Sequence, residues 1–111
     1  MPPRLHNRPR SSAPVFAALG DETRLAIVAQ LSSRGPRSIT SLTEGSSVTR
    51  QAVTKHLHVL NGAGLVHCSR RGRESIWELD SHRLQDAQRY LAEISAHWDA
   101  AIDRLRKFVE D

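Results

Sequence analysis

Eight apolar side chains near the end of the chain restrict its folding more than any other feature. Leu84, Ala87, Leu91, Ile94, Trp98, Ala101, Leu105 and Phe108 alternate in steps of three and four. That is the a/d seam of a heptad repeat, sustained for more than three heptads. It predicts one helix from about Ser81 to Val109, roughly 40 Å long at 1.5 Å per residue. A chain of 111 residues makes one domain with a modest core. Its other helices are too few to cover such a seam. Bending the helix back over its own core would still leave the far end bare. The seam therefore predicts a homodimer. Trp98 and Phe108 are its strongest contacts, because large aromatics carry most interface energy.

A second helix is expected just after Thr49. Val53, Leu57 and Leu60 repeat at helical spacing, flanked by Ala52 and His56. Arg50, Gln51, Thr54, Lys55 and His58 fall on the opposite face. Thr49 is a good cap, and its hydroxyl or the first-turn amides suit a phosphate. After Gly62 and Gly64 the period changes. Leu65 to Ser69 and Ser75 to Leu79 read as two short strands joined by Arg70-Arg71-Gly72-Arg73-Glu74. From Thr49 to Arg73 there are five Lys/Arg and no Asp/Glu. A helix with a cationic, acid-free face, followed by an Arg-tipped hairpin, suits double-stranded DNA. The helix fits the major groove and the hairpin can reach the backbone or the minor groove beside it. Arg50 and Gln51, in the first turn, are the expected base readers. Thr54, Lys55 and His58 are expected at a base or phosphate, and Arg70, Arg71 and Arg73 as a wing clamp. A solvated turn is the plainer reading of the wing arginines, but three cations in four residues favour DNA.

Ahead of this pair, Pro14 to Leu19 has helical spacing and stops at Gly20. Asp21 caps a helix whose buried stripe is expected to be Leu25, Val28 and Leu31, helped by Ile27. That helix breaks at Ser33-Arg34-Gly35-Pro36, and Ser38 to Thr43 forms a short helical turn with Ile39 and Leu42 inward. Short helix, tight turn and longer helix make a helix-turn-helix, and the hairpin makes it winged. The fold expected is mainly α with a small β-hairpin wing, in the order α1-α2-α3-α4-β-β-α5. Residues 13–111 form the DNA-binding and dimerisation domain. Residues 1–12 hold three prolines and three arginines. They read as a disordered basic arm, either touching phosphates or, as the composition favours, simply solvated.

The net charge of +4 suits a polyanionic partner. One cysteine forms no disulfide framework, and no apolar run approaches the ~20 residues of a membrane span. The expected setting is cytoplasmic. No Ser/His/Asp set, paired carboxylates or phosphate loop appears, so no enzyme and no cofactor is expected. Cys68 is either a redox switch beside the wing arginines or, more simply, a small packing residue. His67 lies next to it, but successive strand residues point to opposite faces and the two do not converge.

Phe16-Ala17-Ala18-Leu19-Gly20-Asp21-Glu22-Thr23-Arg24-Leu25 resembles the opening F-x-A-L-x-D-x-T-R-L of ArsR-family winged-helix transcription regulators. Val48 to Leu57, followed by Leu60-Asn61-Gly62-Ala63-Gly64-Leu65-Val66, is similar to that family's recognition helix and its L-x-x-A-G-L-V lead-in to the wing. The resemblance spans about Pro14 to Asp80. It implies a homodimeric repressor on a palindromic operator, joined through its first and last helices. The expected interface is Phe16, Leu84, Leu91, Ile94, Trp98, Ala101, Leu105 and Phe108. Many family members sense metals, and here the chain departs. The segment where the family's α3 site has cysteines is Ser38-Ile39-Thr40-Ser41-Leu42. Asp80-Ser81-His82 matches the first half of the family's other site, but its second half falls on Glu93 and Ala96. A makeshift pair, Glu93 and His97, shares one helical face. The set is incomplete, so the chain looks closer to the metal-independent branch, with no metal or small-molecule effector expected. Two alternatives stay open: a ligand-, metal- or redox-responsive sensor on the same fold, and a protein-interaction module that has lost DNA binding.

Overall fold

The computed structural model describes residues 11–110. The expected basic arm lies outside them apart from Ser11 and Ser12. The elements run α1 (Ala13–Leu19), α2 (Glu22–Arg34), β1 (Arg37–Ser38), α3 (Ile39–Thr43), α4 (Arg50–Gly62), β2 (Val66–Arg71), β3 (Glu74–Leu79) and α5 (Ser81–Glu110). The helix-turn-helix, the wing and the long final helix stand where the hydrophobic spacing predicts them.

Local chemistry sets the helix ends. The Asp21 carboxylate accepts the Arg24 N–H at 3.0 Å and opens α2. Ser38 does the same for α3 and Thr49 for α4. At the far end of α4, Leu65 N–H reaches Leu60 O at 3.0 Å and Gly64 N–H reaches Asn61 O at 2.9 Å. These are the paired bonds of a Schellman motif, with buried Leu60 and Leu65 as its apolar contact. The motif needs a left-handed residue, and Gly64 has φ of 79°. A Cβ there would also stand 2.9 Å from Arg83 Cγ. Arg83 cannot yield freely, because its guanidinium donates to Ser11 O at 2.7 Å and lies 3.5 Å from Asp86. Gly64→Ala should therefore lower unfolding free energy by about 1–2 kcal/mol or more, seen as a lower urea midpoint with unchanged slope. An unchanged midpoint would mean that this corner relaxes.

The sheet order is β1-β3-β2, all antiparallel. The hairpin is longer and tighter than the sequence suggests. Arg71 pairs with Glu74, leaving only Gly72 and Arg73 in the turn. Gly72 has φ of 63°, the glycine-first arrangement of a II′ hairpin. The strand β1 is absent from the sequence reading. Two residues are too few to show a period, and its existence depends on Trp77 and Ile76 across the sheet.

The core gathers Val15 and Ala18 from α1, Ile27 and Leu31 from α2, and Leu42 from α3. Val53, Leu57 and Leu60 from α4, Leu65, Val66, Trp77, and Ala87 from α5 complete it. The expected stripe of α2 needs one correction. Leu25 is half exposed and Val28 only partly buried, while Ile27 and Leu31 face inward. At 100° per residue Leu25 lies about 140° around the helix from the centre of the Ile27–Leu31 face. A stripe that includes Ile27 cannot also bury it.

The first turns of α5 belong to this body. Ala87 is buried, Leu84 packs on the core, and the rings of Phe16 and Tyr90 stand 6.1 Å apart. From Gln88 to Glu110 every residue except Ile94 and Ala101 is exposed. Trp98 is 65% exposed, Leu105 64% and Phe108 81%. The radius of gyration is 18.8 Å, against about 13 Å for a compact domain of 100 residues. The overhang of α5 accounts for the difference. Among the described residues no helix is long and apolar enough to cross a membrane.

Candidate nucleic-acid interface

The helix α4 turns Val53, Leu57 and Leu60 into the core, so its opposite face must look outward. Gln51, Lys55 and His58 are exposed there, and Arg50, the first residue of the helix, is exposed on the side toward α3. Thr49, also exposed, spends one acceptor site on Ala52 N–H at 3.1 Å. Its hydroxyl proton remains available to a phosphate oxygen. Thr54 sits further in. It is half-buried, and its hydroxyl donates back to Arg50 O at 2.9 Å. That bond uses its only donor and leaves an acceptor and a methyl group outward.

Two of these side chains are restrained in ways the sequence does not disclose. Arg50 Nη1 donates to Thr40 Oγ1 of α3 at 2.9 Å. The His58 ring stands edge-on to Trp77 of the wing, 6.0 Å between centroids at 89°. Trp77 is itself buried, so it fixes the base of the wing against α4. Along the hairpin, Arg70 pairs with Ser75 and Arg71 with Glu74. Residues 70 and 71 point to opposite faces, and Arg73 sits in the turn. All three arginines are exposed. On the outer face His67 Nε2 lies 2.9 Å from Glu78, apart from Cys68 as the alternation predicts. Cys68 is exposed rather than a packing residue.

A second cluster ties the base of α4 to the α1–α2 corner. Arg24 donates to Ala17 O and Ala18 O, closing the end of α1, and its Nη1 lies 3.3 Å from His56 Nδ1. Asp21 lies 3.9 Å from the same ring nitrogen. The sequence marks Asp21 as a cap but gives no sign of Arg24 as a bridge. The Arg24 N–H holds the Asp21 carboxyl below its ordinary value, with the charges of Arg24 and His56 adding to it. A lowered carboxyl stabilises the fold above its unfolded value, and that contribution vanishes as pH falls through the lowered one. Asp21→Ala should therefore melt several degrees lower at pH 7, and the gap from wild type should narrow progressively as pH falls below about 4. A gap that does not narrow in acid would assign the effect to packing.

Metal-binding candidates do not assemble. The α3 segment carries no thiol. The Asp80 carboxyl accepts the His82 N–H at 3.1 Å and lies 3.1 Å from His82 Nδ1, and both contacts hold it below its usual value. Among the described residues no three His, Cys, Asp or Glu side chains converge.

Comparison with known proteins agrees with this geometry. A helix-turn-helix domain family matches residues 19–69. The chain is 38% identical over 78 residues to the HTH-type transcriptional regulator YuzN of Bacillus subtilis, covering 65% of this chain and 85% of that protein. It is 33% identical over 69 residues to the arsenical resistance operon repressor of the same organism, covering 62% of this chain and 66% of that one. An ArsR-like transcriptional regulator from Rhodococcus superposes with a TM-score of 0.75 at 38% identity, over 87% of this chain and 91% of its own. With the winged fold, the motif spacing and these relatives in agreement, the chain belongs to the ArsR family of winged helix-turn-helix transcriptional regulators.

Proposed function

We propose that two copies of this chain join through α1 and α5 and set their α4 helices into successive major grooves of a palindromic operator, repressing transcription by occupying it. The observation that carries this reading is a pairing of surfaces. One side of the molecule shows an acid-free face of α4 beside an arginine-tipped hairpin, and α5 carries an apolar seam too exposed for a monomer. Arg50 and Gln51 read bases, Thr49, Lys55 and His58 hold phosphates, and Thr54 offers its methyl to a base edge. Arg70, Arg71 and Arg73 clamp the backbone. Leu91, Ile94, Trp98, Ala101, Leu105 and Phe108 meet their copies across the two-fold axis. Phe16 joins them at the edge, and Leu84 supports the seam from the chain's own core. Solution NMR of one structural relative, from Mycobacterium bovis, describes a homodimeric winged helix-turn-helix domain.

The chain lacks the thiols of the α3 site and the full residue set of the α5 site that the family resemblance implies, and on that ground we place it in the metal-independent branch. Relatives include the arsenical resistance operon repressor, so the point needs direct measurement. Footprinting on the DNA upstream of the chain's own gene, with and without zinc and with chelator, tests both statements. One protected palindrome, unchanged by zinc, is the expected result. No protection would remove the repressor reading. Release by zinc would remove only the metal-independent one.

A further inference from the structure

Arg50 is exposed, yet its guanidinium is not loose. Nη1 donates to Thr40 Oγ1 at 2.9 Å, across from α4 to the second residue of α3. Both groups are exposed, so the bond satisfies no buried polar atom and adds little to stability in water. Its consequence is placement. Thr40 is held by a well-fixed turn. Ser38 caps α3, buried Leu42 pins it to the core, and the Thr43 hydroxyl donates back to Ile39 O at 2.7 Å. The backbone of Arg50 is fixed in turn by the Thr54 hydroxyl. The backbone at both ends of the contact is therefore fixed, and the bond biases the long side chain between them toward one placement before any ligand arrives. Ordering a long side chain costs conformational entropy on binding, and a side chain already ordered avoids that cost.

The stereochemistry leaves the useful edge open. A guanidinium has five N–H donors in a planar fork. With Nη1 turned to Thr40, Nε and Nη2 remain as a parallel pair with no protein partner among the described residues. Such a pair matches O6 and N7 of guanine. We infer that Thr40 is a specificity-determining positioning residue, whose hydroxyl holds Arg50 with its Nε/Nη2 edge presented to a guanine. This rests on the base-reading role proposed above for Arg50. Thr40 lies outside α4 and the wing, where all the sequence-expected DNA contacts lie.

Selection from a pool of randomised duplexes tests it, using the full chain as wild type, Arg50→Ala, Thr40→Val and Thr40→Ser. The wild type should enrich paired half-sites, and Arg50→Ala should lose discrimination at one base pair in each. Thr40→Val, which removes the hydroxyl at almost constant shape, should weaken discrimination at that same pair by about fivefold, the worth of one hydrogen bond. Its melting temperature and salt slope should stay at wild-type values, and Thr40→Ser should restore the preference. The inference is overturned if Thr40→Val keeps the wild-type preference, if it weakens all duplexes equally, or if serine fails to restore it. Should Arg50→Ala leave every base preference intact, the reading role of Arg50 falls and this inference with it. If the wild type enriches nothing, sequence-specific binding itself is wrong. Each failure has its own signature.

Discussion

Replacing Trp98 and Leu105 together by glutamate is expected to yield a folded monomer at micromolar concentration. Neither side chain enters the core, and both are about two-thirds exposed. The changes should therefore leave the melting transition of the body nearly in place while placing charge in the seam. A large aromatic at the centre of an interface is where truncation costs most, and two unpaired carboxylates against the copy's apolar seam add desolvation. Affinity for a duplex with two half-sites should fall by about 10²–10⁴-fold, because the second half-site would no longer be engaged at high effective concentration. Affinity for a single half-site should be unchanged. Sedimentation and mobility-shift titration read both quantities. A double variant that still sediments as a dimer would show that α5 is not the contact.

Changing Arg70, Arg71 and Arg73 together to alanine should weaken binding to every duplex alike. Three cations per protomer make six in a dimer, and each phosphate neutralised contributes about 0.9 to the slope of log affinity against log salt. That slope should become shallower by up to about five if all six are engaged, with the ranking of sequences preserved. The hairpin should persist, since its register depends on Cys68–Trp77 and Val66–Leu79 pairing rather than on its tip. If the slope does not move, the wing arginines face solvent in the complex.

Much of this architecture can be read from residue order because its causes are local. Asp21 and Thr49 cap the helices that follow them, Gly64 ends one, and Val53, Leu57 and Leu60 declare which face of α4 is inward. What escapes the sequence depends on partners distant along the chain. Leu25 looks like a core residue until Ile27 takes the inward face. The two residues of β1 become a strand only because β3 lies beside them. Arg24 reaches His56 across 32 positions, and Thr40 reaches Arg50 across ten. No periodicity records such contacts. The outward residues of α4 are thus legible as a group, but the order imposed on Arg50 is not.

A single residue, Asp80, separates the last strand of the hairpin from the long helix, and its N–H bonds to Leu65 O at 2.8 Å where α4 has just ended. Rod, flap and shaft thus meet at one corner, joined by a single residue and a hydrogen bond. Two copies joined through α5 as proposed would act as a calliper with a fixed gap. Operators whose halves are moved apart by a base pair or two should be rejected as firmly as those with altered letters.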